Sequence, residues 1–111
     1  MSGTFGTPRM WWERDDLGYR SFRLFSGDQD LQVLAESSGT PIFAYNAARI
    51  QQNLMRLSDA LAKEGFKVKI FYALKANRYL PLVTSLKLSG LCGVDVCSPG
   101  ELLLARQAGF H

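Results

Sequence analysis

The stretch "FYALKAN", residues 71–77, decides how the rest of the chain is interpreted. It closes the apolar and β-branched run "KVKIFYAL" (67–74), which predicts a buried β-strand. A charged amine, Lys75, follows directly. Because side chains alternate across a strand, the lysine is predicted on the face of the small Ala73, which leaves room beside the ammonium. We therefore expect a lysine at the open end of a buried strand.

Before this stretch, the sequence predicts one strand and one helix. The segment "IFAY" (42–45) is short and apolar, which is typical of a strand. Asn46 is a suitable N-cap for the helix that follows. Apolar residues then recur every three or four positions from Ala47 to Leu61, which predicts an amphipathic helix that ends at Gly65.

After the stretch, the sequence predicts a helix, a strand and a second helix. Residues 79–88 are expected to form the first helix, and "GVDVC" (93–97) the strand. The segment "SPGE" opens with Ser98 as a possible N-cap and places Glu101 where its side chain can reach back, which is the pattern of a capping box. The second helix is expected to run to Ala108.

Strand and helix thus alternate three times, which predicts an α/β fold built from parallel strand–helix units. Ligands of such folds bind at the carboxyl ends of the strands. Lys75 ends the second strand and Asp95 lies near the end of the third, so both are expected on the same side. An amine in that place can form a Schiff base with a carbonyl compound. An ion pair between Lys75 and Asp95 is the simpler alternative, and spacing leaves both open.

The N-terminal part is predicted to lie outside this alternation. Residues 1–10 are expected to form a loose arm, and "YRSFRLF" (19–25) is expected to form a strand. Asp28 is a candidate cap for a short helix stopped by Gly39. The segment "WWERDD" (11–16) is interpreted as packing of the arm, with an aromatic patch for a partner as the alternative.

Composition and charge exclude several classes of protein. The chain has 111 residues, 47% of them hydrophobic, and a net charge of +3 from 13 basic and 10 acidic residues that are interleaved. We therefore predict no nucleic-acid partner and no anionic-membrane surface. No signal peptide is recognised, and no apolar run approaches the roughly 20 residues of a membrane span. The expected location is the cytoplasm.

The two cysteines do not suggest a metal site. Cys92 and Cys97 lie five positions apart, without a second pair, and the single histidine is His111. This matches neither a zinc-ligand spacing nor a disulfide framework. We expect no bound metal and interpret both cysteines as buried thiols in a reducing compartment.

Three blocks of the sequence together resemble a known family. They are "TPIFAYNAARIQQNL" (40–54), "KIFYALKANRYLPLV" (69–83) and "GVDVCSPGELLLARQAGF" (93–110). In this order and spacing they resemble the start of the alanine-racemase-like barrel of fold type III pyridoxal-phosphate enzymes, and most of all the diaminopimelate and ornithine decarboxylases. The resemblance implies that residues 41–111 are the first three units of a (β/α)8 TIM-type barrel. Residues 1–40 would join a second β domain.

The same resemblance implies roles for individual residues. Lys75 matches the catalytic lysine that holds pyridoxal 5′-phosphate as a Schiff base. Asp95 matches an acidic residue beside that lysine and is taken as a second cofactor-binding residue. Glu101 matches the glutamate of the family's "GE" step and is assigned a structural role.

The implied function is the pyridoxal-phosphate-dependent decarboxylation of an amino acid, with meso-diaminopimelate, converted to lysine, as the preferred substrate. A homodimer with active sites at its interface is implied as well. The family's phosphate loop, pyridine-pairing acid, catalytic cysteine and substrate-binding residues would follow His111. We therefore expect an N-terminal fragment that is inactive alone and prone to self-association. The alternatives are a racemase of the same fold, and a truncated, non-catalytic piece that binds cofactor or a homologous subunit.

Overall fold

The computed structural model of the chain describes residues 14–111. The chain divides into two compact units, the first ending at Asn46 and the second beginning at Ala47. The arm predicted over residues 1–10, and most of the segment 11–16, lie outside the described residues. Each unit is described below by itself.

The first unit contains a small antiparallel sheet and one helix. Its elements are β1 (Leu17–Arg20), β2 (Arg23–Ser26), β3 (Gln29–Asp30) and α1 (Leu31–Ser38). The strand order is β1-β2-β3, and both neighbouring pairs are antiparallel. The unit is therefore a β-meander followed directly by a helix.

The single strand predicted over residues 19–25 is wrong, because the chain reverses within it. Ser21 and Phe22 form the tip of a hairpin between β1 and β2 and have φ angles of 50° and 67°. Two-residue hairpin loops of this kind need positive φ at both positions, which Asn and Gly normally supply. A Ser-Phe pair gives no such signal, so the alternation of residues predicts one continuous strand across the turn.

Helix α1 is confirmed, but its N-cap lies two residues later than predicted. The Asp30 side chain, and not that of Asp28, accepts the N–H groups of Gln32 at 2.9 Å and Val33 at 3.3 Å. Strand β3 occupies residues 29 and 30, so the helix starts only after it. The predicted stop at Gly39 is confirmed, with φ of 82°.

The strand predicted over residues 42–45 is wrong: within the described residues, 42–46 belong to no helix or strand. A strand is defined by hydrogen bonds to a partner. An apolar run indicates an extended tendency but says nothing about that partner. Phe43 is 89% exposed, so the run is not buried either.

The second unit consists of helices around a parallel strand pair. Its elements are α2 (Ala47–Lys63), β4 (Phe71–Ala73), a one-turn 3-10 helix (Leu74–Ala76), α3 (Leu80–Ser89), β5 (Gly93–Asp95) and α4 (Pro99–Gln107). Strands β4 and β5 pair in parallel, with Phe71 opposite Gly93 and Ala73 opposite Asp95. The predicted helices are confirmed to within two residues at each end, and the parallel pair confirms the α/β class. Both strands are shorter than predicted, since only three residues of each are paired.

The core of the second unit lies around helices α3 and α4. Its buried members are Leu74, Leu82, Val83, Leu86, Ala105 and Ala108. Tyr72 and Val94 pack against this cluster from the strand pair, and so does Val96, which follows β5 directly. The strand ends are thus anchored to the helices by apolar burial, which is the main favourable contribution to folding.

Among residues 14–111, no helix combines the length and the apolar character that a membrane crossing requires.

Candidate active site

Lys75 lies in the 3-10 turn that follows β4, and not on the strand itself. The strand ends at Ala73, and Leu74 begins the turn with its side chain fully buried. The predicted strand alternation therefore stops at Ala73, and the prediction that Lys75 shares a strand face with it is wrong. The lysine still stands at the carboxyl end of a parallel strand, with an exposed side chain.

Asp95 is the last residue of the neighbouring strand β5 and pairs with Ala73 in the ladder. The two predicted site residues are thus brought to the same end of the parallel pair. Within the part of the chain that the structure describes, Lys75 and Asp95 form no ion pair. The simpler alternative, a strand end closed by that pair, is therefore not what the structure contains.

Glu101 is a buried, hydrogen-bonded carboxylate near these strand ends. It is only 2% exposed, and it accepts the backbone N–H of Cys97 at 2.6 Å. Its own N–H donates to the Ser98 side chain at 3.1 Å, which confirms the predicted N-cap of α4. The predicted capping box is confirmed only in this half, because the glutamate reaches the N–H of Cys97 and not that of Ser98.

Arg78 is the second partner of Glu101, and sequence reasoning missed it. Its Nε and Nη2 both lie 3.0 Å from one carboxylate oxygen of Glu101. No signal in the sequence indicated that Glu101 is buried, and a buried glutamate is rarely without a cation or hydrogen-bond partner. The arginine lies three residues after Lys75, in the same loop.

The electrostatics connect Glu101 to Lys75. The hydrogen bond from the Cys97 N–H holds the pKa of the Glu101 carboxyl below its ordinary value, and burial opposes this effect. The hydrogen bond and charge of Arg78 lower this pKa further, and so does the positive charge of Lys75. A buried negative charge therefore lies within electrostatic reach of the lysine.

Two further hydrogen bonds hold the backbone around Lys75. The Tyr72 hydroxyl donates to the backbone carbonyl of Asn77 at 3.1 Å. The Asn77 side chain accepts the N–H of Tyr79 at 3.0 Å, just before helix α3 begins. The turn that carries Lys75 is therefore closed on its carboxyl side by its own neighbours.

The lysine fits the aldehyde group of pyridoxal phosphate. An aldehyde needs a primary amine that is reachable and not already engaged. Within residues 14–111, the Lys75 side chain makes no hydrogen bond or ion pair, and it is exposed. The small Ala73 precedes it on the strand.

The cysteines differ from each other in exposure. Cys92 is half-buried, and burial raises the pKa of its thiol. Cys97 is exposed, so the prediction of two buried thiols is wrong for this residue. It lies at the edge of α4, where the last residues before a helix face solvent. No three His, Cys, Asp or Glu side chains of the described chain are grouped as a metal site.

Comparisons with known proteins point to one family. Residues 47–111 match the family described as pyridoxal-dependent decarboxylase, pyridoxal binding domain. The chain is 39% identical, over 78% of its length, to a diaminopimelate decarboxylase of Methanothermobacter thermautotrophicus. It is also similar to a solved diaminopimelate decarboxylase of M. jannaschii, with a TM-score of 0.77, 33% identity and 85% of this chain covered. The same enzyme in co-complex with L-lysine gives a TM-score of 0.76 and the same identity and coverage.

The matches cover most of this chain but little of the relatives. The chain spans 20% of the M. thermautotrophicus protein and 22% of each M. jannaschii chain. Diaminopimelate decarboxylases contain a TIM barrel, and the matched part is its start. The predicted fold class, the beginning of a (β/α)8 barrel, is therefore confirmed.

Proposed function

Because the chain belongs to the pyridoxal-dependent decarboxylases, through their pyridoxal-binding domain, we propose that the intact protein binds pyridoxal 5′-phosphate and decarboxylates an amino acid. The observation that carries this proposal is the exposed, unengaged amine of Lys75 at the carboxyl end of β4, inside the matched residues. Ligands of parallel strand–helix folds bind at that end.

We propose meso-diaminopimelate as the substrate and lysine as the product. The relative at 39% identity is a diaminopimelate decarboxylase, and a solved relative at 33% identity is described in co-complex with L-lysine. Lysine is what remains when one carboxylate of diaminopimelate is replaced by a proton. The name of the first relative, which gives the substrate, and the L-lysine complex of the second, which gives the product, therefore support the same reaction.

In this proposal, Lys75 has two tasks. Its Nζ would hold the cofactor through the aldehyde group, and its amine, when not so bound, could carry a proton. The cofactor, when bound, supplies a ring that accepts the electron pair left behind as carbon dioxide departs. Asp95 at the end of β5 is proposed to orient the cofactor beside the lysine, and Glu101 to hold the surrounding backbone.

Three further features belong to the proposal. Residues 41–111 would form the start of the barrel, and residues 1–40 would join a second β domain. The intact protein would act as a homodimer, and it would be located in the cytoplasm. Size-exclusion chromatography with light scattering would test the homodimer: a monomeric, active protein would contradict it.

The decisive experiment traps the lysine in the intact protein. The protein is loaded with pyridoxal phosphate, reduced with borohydride and digested, and the added mass is located. We expect it on Lys75, and we expect Lys75→Ala to lose the label and to lower carbon dioxide release from meso-diaminopimelate by a factor of about 10² to 10⁴. Lys63→Ala, at the end of α2, is the matched control and should retain both.

A label on another lysine, or unchanged activity in Lys75→Ala, would refute the proposed role of Lys75. Release of carbon dioxide from L-ornithine but not from meso-diaminopimelate would refute the proposed substrate alone. The 111-residue chain is expected to release none from either compound in the same assay.

A further inference from the structure

Arg78 and Glu101 join the two backbone segments that follow the parallel strands. Arg78 lies three residues after Lys75, and Glu101 lies six residues after Asp95, in the first turn of α4. We propose that Arg78 is a positioning residue for Lys75, which acts by holding the lysine's turn against the end of β5 through the Glu101 carboxylate. This inference rests on the proposed function, because it concerns the reactivity of the Lys75 amine.

Each oxygen of the Glu101 carboxylate serves a different segment. One oxygen accepts from Arg78 at 3.0 Å, and the other accepts the Cys97 N–H at 2.6 Å. The first contact fixes the loop after Lys75, and the second fixes the chain two residues after Asp95. A single rigid group thus sets the separation of the two loops that carry the candidate site.

Glu101 is suited to this role because it is buried and accepts hydrogen bonds from both segments. Its side chain is almost fully buried, whereas that of Arg78 is 61% exposed. Most of the Arg78 side chain faces solvent, and the interaction described for its guanidinium is the contact with this carboxylate. The planar guanidinium donates a hydrogen bond from Nε, and its Nη2 lies 3.0 Å from the same oxygen, which restricts its orientation.

The turn that carries Lys75 needs such external support. It is a single turn of 3-10 helix, an element with few and poorly aligned hydrogen bonds of its own. The Tyr72 hydroxyl already donates to Asn77, but Tyr72 lies on β4, in the same strand–helix unit as the turn. Beyond the β4–β5 ladder, the hydrogen bond from Arg78 to Glu101 ties the segment after Lys75 to the next strand–helix unit.

Positioning matters because lysine has a long and flexible side chain. If its backbone also moves, the amine is spread over a larger volume, and attack on the bound aldehyde becomes less frequent. Loss of the Arg78 contact would leave Glu101 bound to Cys97 and release only the lysine's loop. The rate of reaction at Lys75 would then fall while the fold remains.

The test compares Arg78→Ala with Arg106→Ala in the intact protein, since Arg106 lies in the last turn of α4 and is an exposed arginine. Two quantities are measured: the rate of borohydride-trapped labelling of Lys75 by pyridoxal phosphate, and amide hydrogen exchange of residues 74–78 without cofactor. We expect Arg78→Ala to label about tenfold more slowly and to exchange faster in that segment. Arg106→Ala should change neither, and Arg78→Lys should recover part of the rate.

A second variant tests whether Arg78 only stabilises the fold. Arg78→Ala alone leaves the buried Glu101 charge without its cation, and the double variant Arg78→Ala, Glu101→Gln removes that charge. If thermal stability returns in the double variant while labelling stays slow, positioning is supported. If the labelling rate returns together with stability, or if Arg78→Ala labels as fast as Arg106→Ala, the inference is overturned. Failure of the unsubstituted protein to label at Lys75 would instead refute the proposed function.

Discussion

The Glu101 carboxylate accepts the backbone N–H of Cys97 at 2.6 Å, four residues earlier in the chain. This bond satisfies a backbone donor just before the start of helix α4, which otherwise has no partner within the helix. It is stronger in the charged form of the glutamate, since a carboxylate accepts more strongly than a carboxylic acid. The start of α4 is therefore sensitive to the protonation of one buried side chain.

Acidification is expected to destabilise the second unit through Glu101. The pKa of this carboxyl is lower in the folded chain than its ordinary value of 4.5, so the unfolded state binds the proton more readily. The stabilisation is complete above pH 4.5 and is lost as the pH falls through the lower, folded pKa. Thermal unfolding followed across this range should show the loss, and Glu101→Gln should flatten this part of the profile.

Two control variants separate this effect from others. Asp30 also has a pKa below its ordinary value of 3.8. Burial opposes that shift, and the N–H groups of Val33 and Gln32 together with Arg23 outweigh it. Asp30→Asn should therefore remove a different part of the loss of stability in acid, the part that begins below the ordinary Asp30 pKa of 3.8 and not below 4.5 as for Glu101. Glu64→Gln, on an exposed carboxylate after α2, should leave the profile unchanged, and an unchanged profile in Glu101→Gln would contradict the prediction.

Helices and their ends were largely predictable, because their signals are local. Gly90 and Gly65 have positive φ just after α3 and α2, a conformation for which glycine is preferred. The apolar positions Leu82, Val83 and Leu86 recur at helical spacing and are the buried residues of α3. Such features depend on residues within one or two turns of each other.

What sequence reasoning missed depends on partners distant in the chain. Arg78 contacts Glu101 across 23 residues, and no local pattern names that pair. The 3-10 turn at Lys75 likewise follows from the burial of Leu74 in a core formed mainly by later helices. Lys75 and Asp95 stood out by their places at the ends of predicted strands, and the resemblance of motifs implied their roles. The geometry around them is seen only in the structure.

A side chain at Gly93 is expected to strain the parallel strand pair. A Cβ there would lie 2.9 Å from two ring carbons of Phe71, on the opposite strand. Because the Phe71 side chain is 63% exposed, the ring can turn partly aside, so Gly93→Ala should lower the free energy of unfolding by about 1 kcal/mol. Urea unfolding measures this, and Phe71→Ala should restore most of the loss in the double variant. If the losses in unfolding free energy of Gly93→Ala and Phe71→Ala simply add in the double variant, the proposed clash is contradicted.

Helix α3 offers a matched pair of leucines for testing the core. Leu86 is 2% exposed within the apolar cluster, and Leu88 is 81% exposed on the same helix. Leu86→Ala should lower the free energy of unfolding by about 2 to 5 kcal/mol, because it leaves a cavity. Leu88→Ala should change it by about 0.5 kcal/mol or less. Similar losses of unfolding free energy in both variants would contradict the placement of Leu86 in the core and Leu88 at the surface.

The two thiols are expected to react at different rates. Cys97 is exposed, whereas burial raises the pKa of Cys92 and shields its sulfur. Since the thiolate is the reacting form, iodoacetamide at neutral pH should modify Cys97 first. The rate at Cys92 should rise as the pH approaches its raised pKa, and urea should remove the difference between the two residues. Mass spectrometry of digests taken over time measures both rates, with Cys97→Ser as the control. Faster modification of Cys92 in the folded chain would contradict the burial of this residue against the core.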